Sequence, residues 1–321
     1  ASAPNNLKVV IRDASQPVQL LNEGYWGMNF VEGERYILRT IIRTSSDYKG
    51  KVTVRLLSSE GKILSSETLD IIHGGEWNDV KKTLTAVGHD SKGRLALEFD
   101  SPGTVWVDYV SLFPENTFNN RPNGLRRDVA EMLVGLKPAF FRWPGGCVVE
   151  GITLDNRFEW KKTLGDPAAR PGEYSTWGYR CSYGFGYYEM LQFCEDIGAK
   201  AMFVCNVGLG CQFRMGDACG EHDIDFYIDD CLDAIEYALG DESTEWGARR
   251  VADGHPAPFP LQYVEIGNEN WGAEYDRRFD IFYKTIKEKY PQLTLIYNEM
   301  PQRDGASQIT KTDMIDPHWY V

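Results

Sequence analysis

Two glutamates four residues apart, Glu265 and Glu269, flank a Gly-Asn pair in YVEIGNENW (residues 263–271), directly after apolar residues that read as a buried strand. Side chains alternate faces along a strand, so Glu265 and Val264 point opposite ways, while Glu269 falls beyond the strand, where the chain leaves the sheet. A carboxyl group at a strand end, beside an Asn amide able to hold a hydroxyl, suits a general acid once its surroundings raise its proton affinity. Glu269 is therefore the reactive candidate and Asn268 its companion. The plain alternative is a solvated loop carboxylate bonded to backbone, because four residues, GNEN, are a weak signal. Glu265 reads as structural, paired with an arginine such as Arg142.

The elements that must position these groups fall into two halves. Between residues 7 and 113 the chain runs in short, roughly alternating segments such as RYILRTIIRT, KVTVRLLSS and TVWVDYVSLF, split by the turns DYKGK, SSEGK, HGGE and DSKGR. Six to eight strands without helical periodicity predict an antiparallel β-sandwich of jelly-roll type over 1–115.

Over 116–321 helix and strand alternate. NGLRRDVAEMLVGL carries Leu125, Val129, Met132, Leu133 and Leu136 on one helical stripe, with Asn123 as its cap. The strand AFFRW follows; then come YYEMLQFCEDI and KAMFVCN, DFYIDDCLDAIEYAL and LQYVEIG, AEYDRRFDIFYKTIKEKY and LTLIYNE, and last MIDPHWYV. Strands this apolar are buried on both faces, as in a parallel sheet, either doubly wound or closed. The barrel is favoured because polar residues gather just past strand ends: Pro144-Gly145-Gly146, Asn206, Asn268-Glu269, Asn298 and His318. A closed barrel needs eight strands and about five are countable, so the expected fold class is a sandwich followed by an incomplete (β/α)8 barrel.

Composition narrows the partners. A net charge of -13 disfavours nucleic acid and anionic membrane, whose phosphates would be repelled, and an uncharged substrate fits better. No run of 18 apolar residues exists to span a bilayer. The opening ASAPNN fits the residue left by a removed signal, or a cloning scar, so the compartment stays open with a secreted or periplasmic location favoured. Seven cysteines, all between Cys147 and Cys231, read as free thiols. Cys205, Cys211, Cys219 and His222 lack a CxxC pair, and Gly184-Phe185-Gly186 lacks its third glycine and its leading strand; neither a zinc site nor a dinucleotide cofactor is expected. Trp143, Trp160, Trp177 and Trp271 sit near strand ends as candidates for stacking on sugar, as do Trp26, Trp77 and Trp106 in the sandwich; core packing is the alternative for each.

Glycoside hydrolysis needs two carboxyl groups, roughly 5 to 5.5 Å apart for retention and about 6.5 to 9.5 Å for inversion. Glu150, Asp155, Glu299, Asp313 and Asp316 are the candidates for a second, and none stands out from sequence.

The run FFRWPGGCVVEGITLDNRFEWKKTLGDPAARPGEYSTWGYRCSYGFGYYEMLQFCEDIGAKAMFVCNVGLG, with YVEIGNENWG and MIDPHWY, resembles glycoside hydrolase family 51, the α-L-arabinofuranosidases. RWPGGCVVEG, WGYR and EIGNEN are its most specific parts, and the likeness covers nearly everything after Arg121. NEGYWGM and VWVDYVSLFP resemble the carbohydrate-binding-module-like jelly roll inserted in many members. The resemblance implies a retaining enzyme, working without a metal, that releases terminal arabinofuranose from arabinan, arabinoxylan or oligosaccharides. It implies Glu269 as acid/base and Asn268 as the adjacent sugar-binding amide. Cys147 stands after the Gly-Gly pair, where members place Cys or Asn close to the sugar; Trp143, Gly146, His318 and Tyr320 complete the expected sugar-contacting or positioning set. An arabinose-containing glycan is the expected partner, in a chain that commonly forms homo-oligomers.

Two departures accompany the resemblance. Pro317 stands where many relatives carry Glu. The family's nucleophile is a glutamate on the strand after the one read as MIDPHWYV, and its first barrel strand precedes the sandwich. One strand before and two after account for the missing three, so an internal fragment is expected, without the C-terminal β-domain and with negligible turnover alone. The alternatives are a non-catalytic carbohydrate-binding protein built on the sandwich, or another retaining glycosidase of the same barrel superfamily.

Overall fold

The computed structural model describes residues 5–301, 303 and 307–320. The first four residues of ASAPNN and the final Val321 of MIDPHWYV lie outside them. The chain divides into two compact units, 1–135 and 136–321.

Among the described residues of the first unit, nine strands form two antiparallel sheets. They are β1 (Leu7–Ile11), β2 (Val18–Asn22), β3 (Met28–Phe30), β4 (Arg35–Thr44), β5 (Val52–Leu57), β6 (Ile63–Thr68), β7 (Trp77–Thr85), β8 (Asp90–Phe99) and β9 (Gly103–Pro114). One sheet runs β1-β9-β4-β7 and the other β2-β8-β5-β6, with β3 also on β8. Alternation decides the faces: along β4 every second residue is buried, and Leu38 and Ile42 meet Val54, Leu56, Leu97 and Phe99 in one core. The complementary outward set is polar and aromatic. Arg43 stands opposite both Trp106 and Trp77 in the register, its guanidinium 4.2 Å and 5.0 Å from their ring centroids, so a cation covers faces that sugar would need. Trp26 is the open one, 85% exposed beside Tyr25.

Helix α1 (Arg127–Gly135) departs from expectation. Asn123 sits four residues before its first turn in a left-handed turn conformation and does not cap it. Of its residues only Ala130 is buried, and Met132 is 75% exposed. Periodicity identifies a helix's apolar face without dictating that anything covers it.

The second unit carries five parallel strands in the order β10 (Phe140–Trp143), β13 (Lys200–Cys205), β14 (Leu261–Ile266), β15 (Thr294–Glu299) and β16 (Met314–Pro317), a curled part of a barrel. A small hairpin, β11 (Glu173–Tyr174) and β12 (Arg180–Cys181), lies in the long connection after β10. Helices α2 (Tyr187–Ile197), α3 (Ile224–Leu239) and α5 (Ala273–Lys289) pack their apolar faces on the sheet, burying Met190, Ile235, Phe279 and Phe282 against Phe203, Val264 and Leu295. Gly198 ends α2 in the left-handed conformation, φ +70°, that glycine adopts without a Cβ penalty. Helix α4 (Glu245–Ala252) was not anticipated, because EWGARRVA is short and carries only Trp246 and Val251 as large apolar residues. Its start is nonetheless written in Thr244, whose hydroxyl accepts from Gly247 N at 3.2 Å. Buried Arg250 then ties it to the carbonyls of Tyr237, His255 and Pro256.

Candidate active site

The C-terminal ends of β10, β14 and β16 bring the sequence candidates together. Arg142, near the end of β10, lies across the sheet from Glu265 on β14 and pairs with it through two nitrogens, Nη2 reaching Oε1 at 2.8 Å. The same Nη2 donates to Asn268 Oδ1 at 2.9 Å. Space for this guanidinium comes from Gly145, where φ is +62° and a Cβ would lie 2.2 Å from Arg142 Nη1. The turn continues through Gly146 and points Cys147 at Glu269, Sγ to Oε2 3.9 Å.

After β14 the chain makes a tight left-handed turn in which Gly267 has φ +84° and Glu269, a non-glycine, has φ +49°. Strain of this kind persists where neighbours over-determine it. Glu150 supplies that constraint: its two oxygens accept from Asn268 Nδ2 at 3.1 Å and Asn270 Nδ2 at 3.4 Å, one residue on each side of Glu269. Asn270 Oδ1 also takes Asn268 N at 3.2 Å. Burial pushes the Glu150 carboxyl up to about 9, the Cys211 thiol adds to this, and the Asn268 amide opposes it. Glu150 is thus a neutral acid at neutral pH. Burial raises Glu265 as well, against the pull of Arg142.

Glu269 is 7% exposed. Its Oε1 lies 3.3 Å from His318 Nδ1, and His318 Nε2 lies 3.2 Å from Asp316 Oδ2. These bonds, to Asp316 first and then Glu269, raise His318 to about 9 although burial opposes them. The ring is therefore mostly imidazolium at neutral pH, with one N–H facing Glu269 and the other Asp316.

Glu269 opens into a cavity of about 430 Å³ lined by Cys147, Phe213, Met300, Arg303 and Tyr320. Asn268 is fully buried behind the turn, its amide held between Arg142 and Glu150. Trp143 is half-buried with its ring against Phe158, Phe185 and Tyr187, and Trp160 is a core residue at 1% exposure. Trp177, by contrast, is exposed and lies where a Cβ on Gly146 would be 3.5 Å from its ring. Trp271 packs on Phe213, with Arg303 over both rings. Phe213, Met300 and Arg303 escaped sequence reasoning. Their signal was topological: they follow β13 and β15 at the same strand ends as the recognised groups. Of the other carboxylates, Asp313 is tied to Lys287, Tyr283 and Leu295 N, away from this turn.

Residues 132–321 match the model of the α-L-arabinofuranosidase 1 domain. The chain belongs to the α-L-arabinofuranosidase family. α-L-Arabinofuranosidase 1 of Arabidopsis thaliana is 37% identical over 311 residues, 95% of this chain and 44% of the plant protein. An extracellular exo-α-L-arabinofuranosidase of Streptomyces chartreusis is 34% identical, covering 93% of this chain and 38% of its own length. A solved arabinose-bound family 51 α-L-arabinofuranosidase superposes with a TM-score of 0.88 at 32% identity, over 95% of this chain and 50% of that one. The chain thus spans about half the length of the arabinofuranosidases it matches.

Proposed function

We propose that these residues form the acid/base half of a retaining α-L-arabinofuranosidase that releases terminal arabinofuranose from arabinan- or arabinoxylan-type glycans. The observation that carries this reading is Glu269, strained, nearly buried and aimed into a cavity large enough for one pentose, with one oxygen held by His318 and the other beside Cys147. Glu269 protonates the departing glycosidic oxygen and, as carboxylate, takes the proton of the water that later attacks the sugar. Cys147, Gly146 and Tyr320 contact the sugar. His318 positions the Glu269 carboxyl, Asn268, fully buried, holds the turn through Arg142 and Glu150 and not by touching sugar, and Trp143 supports the Gly145-Gly146 turn.

A retaining mechanism needs a second carboxylate opposite Glu269. Among the described residues the carboxylates around Glu269 are committed elsewhere: Glu150 to two asparagines, Glu265 to Arg142, Asp316 to His318. The residues 1–115 act as a supporting sandwich module, and the extracellular S. chartreusis relative favours a secreted enzyme. Homo-oligomerisation belongs to the same reading.

The test uses the longer protein with nitrophenyl and dinitrophenyl arabinofuranosides. Glu269→Gln is expected to lower kcat/KM about 10²- to 10⁴-fold on the nitrophenyl substrate and far less on the dinitrophenyl one, whose leaving group needs no proton. Equal losses on both would remove Glu269 from the acid role. The 321-residue chain itself is expected to bind arabinose without measurable turnover.

A further inference from the structure

Among the described residues, two clusters of metal-ligating side chains converge in the second unit: Glu265, Asp316 and His318, and Cys147, Glu150 and Cys211. The first already holds a cation, since the Arg142 guanidinium pairs with Glu265 and lies 3.9 Å from Asp316. The second has two soft sulfurs and one carboxylate, all within 4.8 Å of one another.

We propose that Cys147, Cys211 and Glu150 form a binding site for a soft divalent cation of the zinc and cadmium class, set in the wall of the sugar cavity. Tetrahedral zinc, with Zn–S about 2.3 Å and Zn–O about 2.0–2.2 Å, separates its ligands by roughly 3.5–3.8 Å, so side-chain rotation closes the observed spacing. Both cysteines are anchored to one residue, Gly151: Cys147 O accepts from its N–H at 2.9 Å, and Cys211 N donates to its carbonyl at 3.4 Å. Glu150 is fixed from behind by the amides of Asn268 and Asn270, the outer partners that orient a ligating carboxylate. Entry is through the cavity. Cys211 and Glu150 are buried, whereas half-buried Cys147 lines the opening, with Glu269 Oε2 3.9 Å from its sulfur as a fourth donor.

Chemistry selects the ion. Thiolate ligands favour d¹⁰ cations over magnesium or calcium, which take oxygen shells. Binding forms two metal–sulfur bonds and one metal–oxygen bond and sends the protons that the two thiols and the Glu150 carboxyl carry to solvent, so no oxidant is needed. The bound ion would engage Glu269 and compete with sugar, making the site inhibitory rather than catalytic. The seven cysteines include another buried member pair, Cys205 and Cys231, but both lie in the core away from the cavity, which makes them a control.

The reduced 321-residue chain is titrated with Cd²⁺ and followed by thiolate-to-cadmium charge-transfer absorbance, a readout independent of any sugar chemistry. One equivalent should give a saturable band. Cys147→Ser and Cys211→Ser are each expected to weaken binding at least tenfold, Glu150→Gln to weaken it less, and Cys181→Ser to leave it unchanged. A band of undiminished affinity in the Cys147→Ser, Cys211→Ser double variant, or full competition by Mg²⁺, overturns the proposal. If those variants fail to fold, Zn²⁺ protection of wild-type Cys147 from iodoacetamide, mapped by peptide mass, decides: absence of protection overturns it too.

Discussion

His318 and Glu150 each make the site's stability depend on pH, and the direction follows from their surroundings. His318 has a folded-state value of about 9 against its ordinary 6.5, because Asp316 and Glu269 accept from the imidazolium. A raised value means that its stabilising contribution is complete below about 6.5 and lost as pH rises through about 9. Nuclear magnetic resonance of the His318 ring should show a midpoint near 9, moving toward 6.5 in Asp316→Asn. A midpoint near 6.5 in the unchanged protein would break the assigned link to Glu269. Glu150, raised from 4.5 to about 9, behaves in the same sense: ionising it in a buried place becomes steadily costlier relative to the unfolded chain as pH climbs through that window. Thermal unfolding of Glu150→Gln, which removes the titration, should therefore depend less on pH between 5 and 9 than that of the parent. Identical slopes would show that Glu150 does not titrate in that window.

At the scale of elements, the strand-end turns do the positioning. Gly145 has φ +62° and ψ 174°, a region nearly restricted to glycine, and its missing Cβ makes room for Arg142. Gly145→Ala should cost about 1–3 kcal/mol from backbone strain alone and loosen the Arg142–Glu265 pair, as denaturant unfolding can measure. Gly135→Ala, where a Cβ meets nothing within 4 Å, is the matched control and should be neutral or slightly stabilising. The same elements show what was legible beforehand. Six of the nine sandwich strands, the five parallel strands and α2, α3 and α5 were readable because an apolar period reports directly which face is buried, while the short β2, β3, β6, β11 and β12 were not, and the Arg142–Glu265 pair followed from their types and strand-end places. Helix α4 was hidden, since it is short, has few apolar residues and is anchored by a polar Arg250 bonded to carbonyls. The stripe on α1 was readable as a helix face, yet Met132 stands in solvent.

For the whole molecule, the two units have separate cores: Leu38, Ile42 and Phe99 in one, Phe203, Phe279 and Leu295 in the other. Truncations should report locally. Leu38→Ala is expected to cost about 2–5 kcal/mol in a sandwich transition and Phe279→Ala about 3–5 kcal/mol in a barrel transition, each with little effect on the other in calorimetry. One merged transition shifted equally by both would show the cores to be coupled. By itself the sequence determined the order of a β-sandwich and a partial barrel and the strand ends where polar residues gather, and it singled out Glu269 as the candidate acid, because periodicity and turn chemistry act over a few residues. Only the tertiary structure decided that Glu150 clamps both neighbours of Glu269, that Phe213, Met300 and Arg303 wall the cavity, and that Cys147 meets Cys211. Those contacts join residues dozens to more than a hundred positions apart, and no local pattern encodes which distant side chains the curl of a sheet will bring face to face.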